Sequence, residues 1–550
     1  MSALARIGRL GAPLIAGLAL AIAPACGGAS PRTEQRATPT DPHRVRAPGD
    51  PAPRYETRSS PGPVVGEVEA GVFEEAIRSA APAHDGTSLE GDGRLALFAA
   101  WCAERLGEGG TPPPFEVLEL FARHLGLVEP VPLVLVVGQP DRAMLASAVR
   151  DALRPVLARQ RFDRWGATTR DRGGLLLAVL ALSYRPVDLE PFARRVEPGE
   201  SIRLRGRLRD GLVRPALVLE SPDGSVERVE LGAGPDFDHS VRLETSGMHR
   251  IELLAEGPHG ITVAAIAAVA VGVPIPVEVR LDEPQETPTD DPAVIAARLL
   301  DLAQRVRRAS GVGPLELDER LSAVARNHSQ DMVTHGYVGH VSPRTGDALQ
   351  RLQAAGLRSS LVLENVGRGA SATEIHRALL SSPGHRANLL NPDVTHVGIG
   401  VVVDRSAGRT AFVATQLFAR MGRTVDLAAA AERLLERINQ ARQARGAPPL
   451  RVHERLREAA QRAADAFFDE PSRSQQDLVD EASGSLRRFG IEFRRVGGLM
   501  TVVVDPEEAA TLEPALERDM RWIGLGLRQG TRPDTPPNAI AVVMLFGWSR

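Results

Sequence analysis

A segment of 28 residues that occurs twice constrains the fold of this chain more than any other sequence feature. The first occurrence, at 298–325, reads RLLDLAQRVRRASGVGPLELDERLSAVA, and the second begins at Arg433 and reads RLLERINQARQARGAPPLRVHERLREAA. Later in each unit, VGIG at 397–400 is matched by IGLG at 523–526. Matches that keep their order along the chain predict a scaffold of helices and strands that has been duplicated.

The polar loop residues of the first unit are not repeated in the second. His328 corresponds to Ala463, and EN at 364–365 aligns with RR at 494–495 when the VG that follows is matched. The motif SPGHR has no counterpart in 430–550. The histidines and the glutamate of the first unit are therefore not needed to fold the scaffold, which makes them candidates for function.

A third segment, 90–183, resembles the same scaffold more weakly. Its DGRLALFAAWCAERL resembles the DERLSAVARNHSQDM of the first unit, and it also lacks the histidine and glutamate set. Amphipathic helices and glycine-punctuated strands resemble one another by accident as well, so both interpretations stay open at this point. Cys102 lies in an apolar helical run of this segment, which predicts a buried and inert thiol.

Length, charge and cysteine content set the general class of the protein. With 550 residues the chain is too long for one hydrophobic core and is expected to form several domains. The formal net charge of −3 offers no basic surface, so a nucleic-acid partner is not expected. Two cysteines exclude a disulfide framework.

The first 26 residues resemble a bacterial export signal. Arg6 and Arg9 precede an apolar run at 10–22 that is too short for a comfortable transmembrane helix. The signal ends in APAC, as in lipoproteins, whose cysteine, here Cys26, is acylated after cleavage. This predicts an exported lipoprotein, anchored to a membrane and facing the periplasm or the cell exterior. The alternative is a plain secretory signal and a secreted protein.

Composition and periodicity divide the rest of the chain into segments that predict a multidomain α+β fold. Short strands at regular spacing, separated by turn signals, predict an antiparallel, Ig-like β-sandwich. Apolar stripes at helical spacing, followed by strands, predict an α–β–α sandwich. The predicted segments are a disordered tether at 27–69, an α/β domain at 70–185, the β-sandwich at 188–275, a linker at 276–291, the α–β–α sandwich at 292–420 and a degenerate copy at 428–550.

Three residues suited to metal binding or acid–base chemistry lie in or beside glycine-containing loops of the α–β–α segment. His340 ends GYVGH, Glu364 begins ENVGRG, and His385 lies within SPGHRANLL. Imidazole nitrogens and carboxylate oxygens bind divalent metals and transfer protons. A lone loop histidine is more often a solvated residue, so the joint occurrence of the three is what indicates a site.

The 292–420 segment resembles the bacterial branch of the CAP superfamily (cysteine-rich secretory, antigen 5 and pathogenesis-related proteins, also called the SCP domain). The residues that carry the resemblance are GPL at 313–315, ARNHSQDM at 325–332, GH at 339–340, EN at 364–365, SPGHRANLL at 382–390, VGIG at 397–400 and TQLF at 415–418. The central cavity of the family holds two histidines and two glutamates, with zinc or magnesium in some members. The resemblance implies that His340, Glu364 and His385 are cavity residues and that the two histidines are metal ligands, while the second glutamate would fall near Ser382.

The resemblance implies fold and exposure more than a reaction. Family members are mostly secreted and have been linked to lipid or sterol binding, signalling, toxicity and occasional proteolysis. One hypothesis is an extracytoplasmic binding or interaction module for a lipid, peptide or cell-wall ligand. The alternative is a metal-dependent hydrolase that uses His340, Glu364 and His385. No G-x-S-x-G motif indicates a serine nucleophile, and no residue is assigned as catalytic.

Overall fold

The computed structural model describes residues 43–66, 68–80, 89–281, 287–406, 410–488 and 493–549. The predicted signal, Cys26 and the first part of the tether lie outside the described residues. All described residues belong to one unit, His43–Arg550. A search of these residues for a helix of the length and apolarity needed to span a bilayer finds none.

The predicted tether does not extend through residues 43–66. This stretch contains three short strands, and each pairs with a strand from a distant part of the chain. Tyr55 is fully buried, and its hydroxyl donates to Ala268 O at 3.1 Å. The prediction was wrong here because long-range pairing, which composition does not reveal, orders a segment rich in proline and arginine. The strands are β1 (Arg44–Arg46), β2 (Arg54–Tyr55) and β3 (Val64–Val65).

The N-terminal domain that follows contains four α-helices and a mixed sheet. Its sheet has the order β3-β6-β7-β5, and β4 also pairs with β6. The elements are α1 (Ala70–Ala80), β4 (Glu90–Gly91), α2 (Gly93–Glu104), α3 (Phe115–His124), β5 (Leu133–Gln139), α4 (Leu145–Leu157), β6 (Arg164–Arg172) and β7 (Leu175–Ser183).

Residues 187–271 form two sheets around a common apolar core. One sheet has five strands in the order β10-β16-β15-β12-β13, and the other has the order β14-β11-β8. All pairs are antiparallel except β10 with β16. The strands are β8 (Val187–Leu189), β9 (Phe192–Ala193), β10 (Arg195–Val196), β11 (Ser201–Leu208), β12 (Val213–Glu220), β13 (Val226–Glu230), β14 (Asp236–Arg242), β15 (Gly247–Gly257) and β16 (Gly260–Val271).

The predicted linker at 276–291 contains one further strand, β17 (Glu278–Arg280), which pairs with β1. The third domain follows and places helices on both faces of a four-stranded sheet. Apolar side chains of α5, α8 and α9 pack on one face, and those of α6 and α7 on the other. Its elements are α5 (Pro292–Ala309), β18 (Glu316–Leu317), α6 (Glu319–His335), α7 (Ala348–Ala354), β19 (Val362–Gly369), α8 (Ala372–Ser381), α9 (Pro383–Leu390), β20 (His396–Asp404) and β21 (Ala411–Ala419).

The fourth domain repeats the sheet topology of the third, but short 3₁₀-helices at Pro506–Thr511 and Glu513–Leu516 stand where the third domain has α8 and α9. The sheet of the third domain has the order β18-β20-β21-β19, and that of the fourth has the order β22-β24-β25-β23. In both sheets the first pair is parallel and the others are antiparallel. The elements are α10 (Leu427–Ala444), β22 (Arg451–Val452), α11 (Glu454–Asp469), α12 (Gln475–Arg488), β23 (Phe493–Val503), β24 (Met520–Gly530) and β25 (Ala539–Ser549).

The N-terminal domain shares this topology, with β4-β6-β7-β5 in the corresponding places. The three domains also share a close contact between a helix and a strand of the sheet. Gly398 of β20 lies so close to α6 that a Cβ would overlap the backbone of Leu321, and Gly524 and Gly166 lie in the same way against α11 and α2. A glycine at this position lets the helix backbone reach the sheet.

A buried arginine ends the first helix of both the third and the fourth domain. Arg307 is 1% exposed and donates from Nε to Gly313 O and from Nη1 to Leu389 O, each at 2.7 Å. Arg442 is fully buried and donates from Nε to Pro448 O at 2.9 Å. The same side chain therefore satisfies carbonyls of the following loop in both domains.

Strand register identifies the equivalents of Glu364 in the other two domains. In the third domain Glu364 pairs with Leu417, and in the fourth domain Gly498 has the same register position. Matching EN to the RR at 494–495 was therefore wrong, because the two VG pairs have different register positions in their sheets. In the N-terminal domain the position belongs to Val134.

Candidate functional site

The third domain brings together the three residues that the sequence singles out. The helix cap at Gly336 has a φ of 71° and turns the chain into the loop that presents His340. Glu364 comes from β19 and His385 from the first turn of α9. The Nδ1 atom of His340 lies 3.1 Å from Glu364 Oε1, and the ring centroids of the two histidines are 5.9 Å apart.

An arginine that the sequence analysis did not predict is the closest partner of Glu364. Arg351, on α7, donates from Nη2 to Glu364 Oε2 at 2.5 Å. Its Nη1 atom donates to His340 O at 3.2 Å and to Gly346 O at 2.5 Å. Both charged side chains are 5% exposed, so this is a buried ion pair that also ties down the His340 loop.

The charge of Glu364 follows from these contacts. Burial alone would raise the pKa of Glu364, but the hydrogen bond with His340 and the positive charge of Arg351 bring it below its ordinary value. Glu364 is therefore ionised at neutral pH, and Arg351 supplies the compensating charge.

His385 is neutral in the folded protein. Its enclosure, reinforced by the positive charge that His340 would carry, lowers the pKa of His385 to about 3. A neutral imidazole offers one donor and one acceptor, which suits hydrogen bonding to a polar ligand.

Two asparagines hold α9 against β19. Asn365 Nδ2 donates to His385 O, and Asn388 Nδ2 donates to Glu364 O, each at 3.1 Å. Asn388 Nδ2 also lies 3.1 Å from Asn365 Oδ1. These bonds connect the backbone of His385 to that of Glu364 and set the spacing of the two side chains.

His328 of α6 is packed in the interior of the domain. It is 1% exposed, and its Nε2 atom lies 2.9 Å from Gly339 O. The same atom is 3.9 Å from Glu364 Oε1, so His328 also borders the site. Cys102 and Ala463 take its position in the other two domains, and the predicted burial of Cys102 is confirmed at 0% exposure.

The place where the family resemblance puts a second glutamate is taken by Ser382, but a glutamate from another domain reaches it. Glu252 of β15 is fully buried. It accepts hydrogen bonds from Ser382 Oγ at 2.5 Å and from Gly384 N at 2.9 Å. The sequence contained no signal for this contact, since 130 residues separate Glu252 from Ser382.

In this arrangement the carboxylate of Glu364 is already engaged by other side chains. Both carboxylate oxygens of Glu364 are engaged, one by His340 and one by the cation Arg351. No group of three histidine, cysteine, aspartate or glutamate side chains with metal-binding geometry occurs within the described part of the chain. A metal at His340 and His385 would have to compete with Arg351 for the carboxylate.

Comparison with known proteins finds similarity in the third domain. Residues 300–418 match the model of the cysteine-rich secretory protein family, CAP. The chain is 34% identical over 135 residues to the uncharacterized protein YkwD of Bacillus subtilis, covering 24% of this chain and 52% of that protein. It is 37% identical over 108 residues to the uncharacterized membrane protein YlbC of the same organism, covering 19% of this chain and 30% of that protein. The match thus spans about half or less of these curated relatives.

Two bacterial proteins of known structure are also similar to this chain. One is an extracellular protein containing a SCP domain from Bacillus anthracis, with 19% identity, a TM-score of 0.22, and coverage of 43% of this chain and 86% of that one. The other is a cysteine-rich secretory protein from Staphylococcus aureus, with 12% identity, a TM-score of 0.20, and coverage of 48% and 85%. From the family match and the Bacillus relatives, residues 300–418 are a CAP domain of bacterial type.

Proposed function

We propose that this protein is an exported binding or interaction module whose CAP cleft, lined by His340, Glu364 and His385, takes a lipid, peptide or cell-wall ligand. The observation that carries the proposal is the contrast between domains of one topology. At the position of Glu364 the other two domains have Gly498 and Val134, neither of which carries an ionisable side chain. A costly set of buried polar groups retained in one domain alone is best explained by ligand contact.

The N-terminal and fourth domains are, in this proposal, degenerate copies of the CAP domain. Shared sheet order, the glycine contacts at Gly166, Gly398 and Gly524, and the buried arginines support descent from one unit. Copies that keep the scaffold and lose the cleft serve as spacers or docking surfaces. A multidomain scaffold of this kind suits an adhesive or assembling protein more than a stand-alone enzyme.

The alternative is a metal-dependent hydrolase that uses zinc or magnesium at His340 and His385. The pairing of His340 with Glu364 favours it, because a carboxylate beside an imidazole is a common base arrangement. The cation Arg351 on the same carboxylate disfavours it. A melting temperature that rises with zinc or magnesium in the native protein, but not after His340→Ala and His385→Ala, would show that the site binds metal, and no rise with any divalent ion would exclude the hydrolase.

Retention on defined surfaces tests the binding proposal. The full exported chain is incubated with purified peptidoglycan sacculi or with phospholipid vesicles, and the bound fraction is measured after sedimentation. We expect His340→Ala combined with His385→Ala to reduce retention on one of these surfaces at least tenfold, about 1.4 kcal/mol. His239→Ala, in β14 of the sandwich, is the matched control and leaves retention unchanged. Equal retention of the native protein and the double variant contradicts a role for the cleft.

Anchoring through Cys26 is also part of the proposal, and mass spectrometry of the mature protein tests it. We expect the N-terminal peptide of the membrane fraction to begin at Cys26 and to carry the added mass of acyl chains. Cys26→Ser is expected to release the protein into the soluble fraction, because the variant cannot carry the acyl chains that would hold it at the membrane. An unmodified mature N-terminus beyond Cys26 excludes the lipoprotein assignment.

A further inference from the structure

The β-sandwich packs one face of its five-stranded sheet against the CAP domain. Ala216, Val218 and Leu254 point to this face and are buried, although the outer face of a sandwich ordinarily carries polar, solvated residues. The neighbour on this side is α9, which contacts both β12 and β15. Arg386 of α9 forms an ion pair with Glu220 of β12 at 3.1 Å. The sandwich is thus docked on the helix that carries His385.

The turn between β15 and β16 makes a second contact, with the loop that carries His340. The carbonyl of His259 accepts a hydrogen bond from Val341 N at 3.0 Å. The His259 ring stacks on Tyr337 with centroids 4.2 Å apart and an interplanar angle of 15°. Both elements that present cleft histidines therefore rest against the same domain.

Glu252 lies in this interface, opposite Val218 in the strand register. Its carboxylate is fully buried and accepts from Ser382 Oγ and Gly384 N, both at the start of α9. Burial raises the pKa of Glu252, and the two donated hydrogen bonds oppose that effect. A carboxylate at a helix N-terminus satisfies backbone N–H groups that have no partner within the helix.

Ser382 links Glu252 to the backbone of His385. Its hydroxyl donates to Glu252 and accepts from His385 N at 3.3 Å. On the other side, Asn365 holds His385 O at 3.1 Å. The main chain of His385 is therefore held from the sandwich through its N–H and from β19 through its carbonyl.

We infer that Glu252 of the β-sandwich is a positioning residue of the CAP cleft, holding the first turn of α9 so that the His385 ring faces His340. Because Glu252 belongs to another domain, the geometry of the cleft depends on the sandwich being docked. This role concerns the cleft of the proposed function, but it does not depend on which ligand the cleft binds.

Titration of the histidine rings tests this role in the full exported chain. The protein is labelled with ¹³C-histidine, and the imidazole signals are followed by NMR as the pH is lowered. Glu252→Ala is expected to raise the pKa of His385, about 3 in the native protein, by about one unit or more, because a loosened α9 admits water to the ring. Glu252→Gln retains an acceptor for Gly384 N and a partner for Ser382, and is expected to keep the native titration.

Glu256→Ala is the matched control, since Glu256 lies on the same strand and pairs with Arg214 at 3.0 Å. It should leave His385 unchanged. His328, buried on α6, reports whether the domain is folded in each variant. If Glu252→Ala prevents folding, the titration is measured in Glu252→Asp instead. The shorter side chain of aspartate cannot hold both partners, so this variant should raise the pKa of His385 as well.

An unchanged titration of His385 in a folded Glu252→Ala or Glu252→Asp protein overturns the inference, as does an equal shift in Glu252→Gln. The proposed function fails separately. If Glu252→Ala shifts His385 while the double histidine variant retains full binding to sacculi and vesicles, Glu252 positions the ring of a cleft that has another use.

Discussion

Replacing Arg351 by methionine is expected to lower the stability of the CAP domain by about 3–5 kcal/mol, because it leaves the buried carboxylate of Glu364 without its compensating charge. The guanidinium also holds two carbonyls of the His340 loop, so the loop loosens together with the ion pair. Hydrogen exchange followed by mass spectrometry resolves the domain within the full chain. The amides of β19 and β21 should exchange faster by a factor that corresponds to this loss of free energy.

Two further variants separate the charge from the packing. Adding Glu364→Gln to Arg351→Met removes the uncompensated charge and is expected to restore most of the protection. Arg344→Met is the control, since Arg344 pairs with Asp331 while 58% of its own side chain is exposed. Its loss should cost less than about 1 kcal/mol. Native protection in Arg351→Met contradicts an ionised Glu364 and the charge assignment of the cleft.

The same variant shows whether Arg351 takes the place of a metal ion. Without its guanidinium, Glu364 and His340 are free to bind a cation. We therefore expect zinc to restore part of the exchange protection in Arg351→Met and to leave the native protein unchanged, since only a form that binds zinc is stabilised by it. Equal zinc stabilisation of the native protein would favour the hydrolase alternative.

The sequence predicted the elements that depend on local patterns. The segment at 70–185, expected to be an α/β domain, contains the helices α1 to α4 and the strands β4 to β7. His340 Nδ1 and Glu364 Oε1 lie 3.1 Å apart, and the ring centroids of His340 and His385 are 5.9 Å apart, while the role of these residues as a site stays a prediction. Amphipathic periodicity and turn residues are local signals, and they are sufficient for this part of the fold.

What the sequence did not predict depends on contacts between distant residues. From the sequence alone, Arg351 is one more charged residue of a helix, and Glu252 occupies a strand position that is expected to face outward. The packing of α7 within the CAP domain buries Arg351, and the docking of the sandwich on that domain buries Glu252. The prediction of a tether failed at 43–66 because the strands in this stretch pair with strands far along the chain. Such pairings leave no trace in composition or periodicity.

A comparably large effect on folding is expected at the glycine that the three like-folded domains share. Gly398→Ala would place a Cβ against the backbone of α6 at Leu321, which cannot rotate away as a side chain end would. Helix and sheet must separate, at a cost of about 3 kcal/mol or more. Exchange of the amides of α6 and β20 measures that cost. Gly313→Ala, with open space around its Cβ, is the control and should be neutral or slightly stabilising.

The same glycine-to-helix contact occurs in the other two domains, so the same effect is expected there. Gly524→Ala should destabilise the fourth domain, as reported by the fluorescence of Trp522 two residues away, and Gly166→Ala should destabilise the N-terminal domain, as reported by Trp165. In each case loosening is expected in the mutated domain before the others, since each has its own core. A folded Gly398→Ala protein with native exchange would mean that the sheet yields to a methyl group. The glycine would then reflect ancestry alone and not a packing requirement that all three domains share.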